Sequence, residues 1–326
     1  MAAENNGKVL VVGGAGYIGS HTCLALHGAG YEPVVYDNLS NGNRSSVRWG
    51  GLIVGDIRDG KAVEEAVSRV GPRAIIHFAG LIEVGRSVED PLSYHDVNVG
   101  GSINVVKAAS GAGIPLVFSS TCATFGIPAR LPMDEYHPQN PLNPYGQSKL
   151  AVERMIADVS AAGALRGVVL RYFNAAGAAD AEGIGEAHDP ETHAIPLILA
   201  SLRRGEVFRV FGDDYPTPDG TCVRDYVHVL DLAAAHVLAM EYLLGGGASD
   251  TFNLGTGWGT SVLELVRTIA EVTGLDPVLE VHGRRAGDAP YLVADSSKAS
   301  AVLGWSPSRD LGEIVRSAAA WHGVIK

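Results

Sequence analysis

Residues 8–37, KVLVVGGAGYIGSHTCLALHGAGYEPVVYD, decide the fold. KVLVV, Lys8 to Val12, is a short unbroken apolar run, the pattern of a parallel strand buried on both faces. It feeds directly into GGAGYIG, where Gly13, Gly16 and Gly19 stand at three-residue steps. Tyr17 to His27 then reads as a helix, and PVVYD as a second strand ending on Asp37. Glycines permit a tight turn and close approach of backbone to a pyrophosphate, which sits at the positive end of the helix. An acid about twenty residues past the loop can hydrogen-bond both ribose hydroxyls. Its charge repels a 2′-phosphate, so this mononucleotide-binding unit favours NAD over NADP.

Working outward, apolar strand candidates recur with helical stretches between them at Leu52 to Val54, Ala74 to Phe78, Leu116 to Ser119 and Gly167 to Leu170. Such alternation implies an α/β fold with a doubly wound parallel sheet of the NAD-binding Rossmann type. Ligands of such sheets bind beyond the carboxyl ends of the strands, where Asp56, His77 to Gly80 and Ser119 to Thr121 fall. The texture changes from about Asn174, with the loop runs 175–196 and 211–226. The expected division is an NAD-binding unit over 1–173 and a smaller mixed α/β substrate-binding unit over 174–326. Residues 227–240, VHVLDLAAAHVLAM, read as a strand and helix that return to the first unit around 227–245.

Composition narrows the function class. The 326 residues, 46% hydrophobic, can bury a large core. The opening MAAENNGK has no apolar run after a basic start, and no segment approaches the roughly 20 apolar residues of a membrane span, so a cytoplasmic protein is expected. A formal charge of −11 argues against a nucleic-acid surface. The three cysteines, Cys23, Cys122 and Cys222, are far apart and read as reduced thiols; the eleven histidines form no zinc-type pair, and no metal is expected.

One further pattern carries chemistry. In PYGQSK, Tyr145 and Lys149 are four residues apart, which puts a phenol and an ammonium on one helical face. A cation beside a phenol favours phenolate, the form that takes a proton.

With these in hand, GGAGYIGSH, DNLSNG, GDIRD, IIHFAG, FSSTCATFG, PYGQSK, LRYFNAAGA, FGDDYPTPDGT, VRDYVHV and NLGTG follow one another as in UDP-galactose 4-epimerases, of the extended short-chain dehydrogenase/reductase superfamily. The resemblance spans nearly the whole chain, and FGDDYPTPDGT followed by VRDY is its most specific part. It implies inversion at C4 of a UDP-hexose through a 4-keto intermediate, with Tyr145 as base, Lys149 lowering its pKa and holding the nicotinamide ribose, and Thr121 relaying the C4 proton. Serine is common at that last place, and Thr121 keeps the hydroxyl.

The same resemblance points to Gly13, Gly16, Tyr17, Ile18, Gly19, Asp37, Asn38, Asp56, Ile57, Phe78, Ala79, Gly80 and Asn98 as NAD contacts. Asp56 would reach the adenine amino group or cap the next helix; Asn98 would support the nicotinamide half or satisfy a loop. Tyr172 would sit by the nicotinamide or serve as a buried strand aromatic. Ile82 stands where a lysine is frequent near the pyrophosphate, which removes one cationic contact. For the UDP-sugar it points to Asn174, Phe211, Arg224, Arg285 and Asp288. Two arginine forks suit a diphosphate. His193 stands where asparagine is frequent, near uracil or phosphate, and is assigned no charge. Leu292 aligns with a residue that gates the sugar C2, where a bulky tyrosine excludes N-acetyl groups; a slip of one position would put Tyr291 there.

Three other functions fit the residues less well. A nucleotide-sugar 4,6-dehydratase needs acids directly after the active-site threonine, where Cys122 and Ala123 stand. A non-catalytic NAD sensor has no use for the Tyr-Lys pair. A UDP-pentose 4-epimerase needs no different catalytic group and stays the alternative. The resemblance further implies a homodimer.

Overall fold

The computed structural model describes residues 6–285 and 288–325; Ala286 and Gly287 of the RRAGD motif, and the outer ends of both expected units, lie outside them. In chain order the strands are β1 (Lys8–Val12), β2 (Glu32–Asp37), β3 (Gly51–Val54), β4 (Ala74–His77), β5 (Leu116–Thr121), β6 (Gly167–Tyr172) and β7 (Asn174–Ala176). There follow β8 (Val207–Phe211), β9 (Val223–His228), β10 (Asp250–Leu254), β11 (Gly259–Ser261), β12 (Val278–His282) and β13 (Tyr291–Leu292). Seven of them form one sheet in the order β10-β6-β5-β4-β1-β2-β3, parallel throughout. The order reverses between β1 and β4, which makes the end of β1 the switch point for ligand binding.

Alternation along the strands splits the core in two. Val9, Val11, Val35, Ile76, Val117 and Val168 face one layer of helices. Leu10, Val12, Val34, Ile75, Leu116 and Val169 face the other. Both faces are covered, which is why KVLVV shows no polar alternation.

The strand and helix read at 227–240 part company. Strand β9 pairs with β11, β13 and β7 in a separate small sheet, whereas the helix Val229–Leu244 packs beside Tyr17–Gly28 on the large one. The strand that joins the large sheet is β10, aligned with β6. Its sequence DTFNL hides it, because Asn253 is buried yet polar, its Nδ2 donating to the Met133 carbonyl at 2.9 Å. Strands β8 and β12 pair apart from both sheets. Helices Ala194–Arg204, Val262–Thr273 and Leu311–Trp321 close a third core around Ile198, Leu265 and Ile314, two of them started by capping boxes at Ser261 and Asp310.

Candidate functional site

The turn after β1 is built from backbone alone. Gly13 holds φ +84°, and a Cβ there would stand 2.4 Å from the Ala79 nitrogen, so the loop passes directly under the end of β4. Gly16 is different, because a Cβ on it would meet only the Gly13 carbonyl, at 3.4 Å. Gly16 caps the helix Tyr17–Gly28 with no side-chain bond and no acid in the first turn. Unsatisfied N–H groups at an uncovered helix start suit an anion. Asp37, 8% exposed, accepts N–H bonds from Ala15 at 3.0 Å and Leu39 at 2.8 Å, one per oxygen, and each oxygen keeps a lone pair for a ribose hydroxyl. The loop and this acid therefore fit NAD.

At the carboxyl edge of β5, Thr121 aligns with Tyr172 and turns the chain, its hydroxyl accepting from the Ala123 N–H at 3.1 Å. Helix Pro144–Ala161 starts beside it, with Asn143 as cap and Pro144 in the first turn. Gly146 lets it come close: a Cβ would stand 2.5 Å from the Ala123 carbonyl. Tyr145, Lys149 and Glu153 follow at four-residue steps on the buried face. The Lys149 ammonium donates to the Ser119 carbonyl at 3.0 Å and lies 4.9 Å over the Phe118 ring. Ser119 and Tyr172 share a hydroxyl bond of 2.7 Å. The sequence placed Ser119 at this strand end without giving it a partner.

The electrostatics differ from expectation in one respect. Burial, then neighbouring Tyr172, pushes the Tyr145 phenol well above its usual value, against a lowering by the Thr121 hydroxyl. Lys149 is turned toward Ser119, and without ligand burial outweighs any phenolate-favouring effect. Burial also draws Lys149 from 10.5 to about 8, with Glu153 opposing. A lysine with a depressed folded pKa destabilises the fold fully below that value, and the cost fades as pH rises toward the unfolded value. Lys149→Met should therefore raise the stability of the ligand-free protein by about 3 kcal/mol at neutral pH, a shift of roughly two and a half units converted at 1.36 kcal/mol each. The gap should close between pH 8 and 10.5. Thermal melts of both proteins across that range check it; equal stability at pH 7 would refute the assignment.

The other expected cofactor residues divide. Phe78 and Ala79 both donate to the Val12 carbonyl, at 2.7 and 3.0 Å, and Gly80 lies against Asn98. Asn98 is 2% exposed and bonds Leu81 on both its oxygen and nitrogen and Ser148 at 2.9 Å, so its amide ties the loop after β4 to the Tyr145 helix. Asp56 is held by an Arg58 fork at 2.9 and 3.0 Å and by Asn38 at 2.9 Å. That fork pulls its carboxyl far below the usual range. The next helix is capped by Asp59 instead. Ile57 is buried in the core, while Tyr17 and Ile18 flank the glycine loop, Tyr17 donating to the Gly177 carbonyl at 2.5 Å.

At the other end, Phe211, Arg224, Arg285 and Asp288 meet. Asp288 takes Arg285 at 3.1 Å and Arg224 at 3.6 Å, and Arg285 stacks 4.9 Å over Phe211. Asn174 opens β7, paired with Tyr226 of the strand that carries Arg224. Leu292 pairs with Arg224 and packs toward Cys122, Phe125, Met133 and Phe173. Tyr291 pairs with Val223 and lines with it a separate open cavity. The residue facing the Thr121 turn is thus Leu292.

His193 lies elsewhere, beside Glu186 at 2.6 Å and Glu191 at 3.3 Å. Burial alone would lower its pKa, yet the two carboxylates hold it up to about 10, which supplies the charge that the sequence left open. Two further features escaped the sequence reading. One is a buried ion pair of Glu153 and Arg171 at 2.7 Å; the other is the convergence of Glu186, His188, Glu191 and His193, whose spacing matches no familiar motif. Among the described residues no helix is long and apolar enough to cross a membrane.

A switch-point glycine loop, a buried acid at the end of the next strand and a buried Tyr-Lys helix suit a nicotinamide cofactor. The chain belongs to the NAD dependent epimerase/dehydratase family, whose model matches residues 9–255. It is 60% identical to the UDP-glucose 4-epimerase of Rhizobium leguminosarum bv. trifolii over 99% of this chain and 98% of that one. It is also similar to the crystal structure of UDP-glucose 4-epimerase from Brucella ovis in complex with NAD, with TM-score 0.94 and 51% identity over 97% and 98% of the two chains. A third likeness is to the Stenotrophomonas maltophila UDP-glucose-4-epimerase with bound NAD and formylated UDP-arabinopyranose, with TM-score 0.95 and 40% identity over 98% of each chain.

Proposed function

We propose that this chain interconverts UDP-galactose and UDP-glucose, with NAD as resident cofactor. The observation that carries the reading is the buried Thr121, Tyr145 and Lys149 group at the strand edge beside the glycine loop. Full-length likeness to UDP-glucose 4-epimerases supports it. Bound NAD would supply a reversible hydride acceptor for C4 and a positive ring that favours the Tyr145 phenolate. Gly13, Gly16, Gly19 and the helix start hold its pyrophosphate, and Asp37 one ribose. Tyr145 Oη accepts the C4 hydroxyl proton through or beside Thr121 and gives it back after the 4-ketopyranose has turned over. Lys149 keeps its ammonium on the ribose side of that phenolate. Arg224 and Arg285, which share Asp288 as an ion-pair partner, grip the diphosphate, and Asp288 turns to a ribose hydroxyl.

The test is proton NMR of the anomeric signals of UDP-galactose incubated with purified protein and no added NAD. Approach to a UDP-glucose mixture without net NADH supports the reading. No conversion, with NAD supplied as well, overturns it; turnover of a UDP-pentose alone would replace it with the alternative epimerase.

Leu292, facing Cys122 where a tyrosine would fill the space, leaves room for N-acetylated UDP-hexoses. Leu292→Tyr should lower the ratio of N-acetyl to plain-sugar turnover at least about tenfold, the scale of losing a fitted pocket. An unchanged ratio sinks the idea.

The chain acts in the cytoplasm, consistent with three buried free cysteines. It pairs as a homodimer, for which Val84, Val88 and Leu92, 46%, 64% and 80% exposed, offer an apolar face on consecutive short helices. Light scattering should give twice the 34.1 kDa chain mass and Leu92→Glu the single mass; a wild-type monomer refutes it.

A further inference from the structure

The stretch EAHDPETH, residues 186–193, precedes helix Ala194–Arg204 and gathers four metal-competent side chains. Glu186 is 4% exposed, and its Oε1 stands 3.1 Å from His188 Nδ1 and 2.6 Å from His193 Nδ1. Glu191 approaches the same two nitrogens, at 3.9 Å from His188 and 3.3 Å from His193. One donor atom from each residue lies within 4.8 Å of all the others. A four-coordinate zinc ion with bonds of about 2.0–2.1 Å holds its ligands about 3.3 Å apart, by tetrahedral geometry. The four imidazole-carboxylate distances, 2.6 to 3.9 Å, bracket that value.

Chemistry agrees with distance. Two imidazoles and two carboxylates are borderline donors suited to zinc, and with both imidazoles neutral they balance a dication. His193 Nδ1 is buried and makes no hydrogen bond, its close approach to Glu186 lacking the alignment for one. Surface carboxylate clusters lack such nitrogens, and here two imidazoles and two carboxylates each bring a donor atom within 4.8 Å of the other three.

The position gives the cluster a consequence. His188 meets Tyr17 edge-on at 6.2 Å, next to the glycine loop. Residues 187–190 and Thr192 line a cavity of about 270 Å³ with Leu39 to Asn43, Ile82 and Glu83. We propose that Glu186, His188, Glu191 and His193 bind one zinc-class divalent cation, which fixes the 186–193 strap against the glycine-loop helix. The site is closed by four protein ligands and takes no part in the sugar chemistry.

The test uses tag-free, full-length protein dialysed against EDTA and titrated with cobalt(II), then zinc(II). The expected result is one cobalt per chain with the intense visible absorption of four-coordinate cobalt, displaced by one equivalent of zinc. Zinc should also raise the thermal midpoint. The double variant His188→Ala, Glu191→Gln should lose both effects with an unchanged circular dichroism spectrum. Should it fail to fold, Glu191→Gln alone must weaken the affinity at least about tenfold, since even outer-sphere partners of metal ligands are worth about 10–100-fold. No stoichiometric binding, the pale spectrum of six-coordinate cobalt, or equal binding by the folded variant overturns the proposal.

Discussion

Tyr145→Phe should lower kcat by about 10²–10⁴, the usual contribution of a positioned general acid–base. The substitution keeps the ring that fills the space between Thr121 and Tyr172 and deletes only the oxygen, so affinity for UDP, measured by calorimetry, should stay close to wild type. No neighbour can substitute. Tyr172 and Ser119 are bonded to each other at 2.7 Å, and Cys122 is held protonated, its thiol pushed up to about 12 by burial. Thr121 is an alcohol and can relay a proton without being a base. Steady-state turnover of UDP-galactose by the variant decides the matter, and a rate within threefold of wild type would mean that another group takes the proton.

A second large effect is expected beneath the site. Arg171 donates to Glu153 through Nε at 3.0 and 3.1 Å and through a terminal nitrogen at 2.7 Å, and to the Glu135 carbonyl at 3.1 Å. Both charged groups are almost fully buried, 8% and 5% exposed, and Ser120 and Gln139 complete the Glu153 shell. Removing one partner of a buried pair strands the other charge, at about 3–5 kcal/mol. Arg171→Met should cost that much in urea unfolding, and the double variant Arg171→Met, Glu153→Gln should recover much of it, because no charge is then left unpaired. A loss below about 1 kcal/mol would mean that water or a shifted side chain replaces the guanidinium. The pair matters for chemistry as well, since Glu153 sits one turn past Lys149 and supports its charge.

The sequence carried what repeats locally. KVLVV followed by three glycines at fixed steps and an acid after the next strand allows one backbone path, because only glycine tolerates the turn and the contact with Ala79. Tyr145 and Lys149 were legible for the same reason: four residues of helix put them on one face whatever lies beyond. Strand β10 was not, because its burial of Asn253 depends on a carbonyl 120 residues away in sequence.

Side-chain alliances were the other blind spot. Sequence could name Asp56, Asn98 and His193 but not their partners, and the partners set their state: an arginine fork, a loop and a serine, and two carboxylates. It offered Leu292 or Tyr291 for one place; the pleat of β13 turns Leu292 toward the Cys122 cluster and Tyr291 away, because neighbouring residues on a strand face opposite ways. The sequence by itself determined six of the seven strands of the large sheet, the dinucleotide loop and the Tyr-Lys pair, since each rests on a short-range period. Only the tertiary structure decided which charges are paired, which thiols and phenols stay protonated, and that four residues of EAHDPETH converge, since burial and long-range contact set those energies.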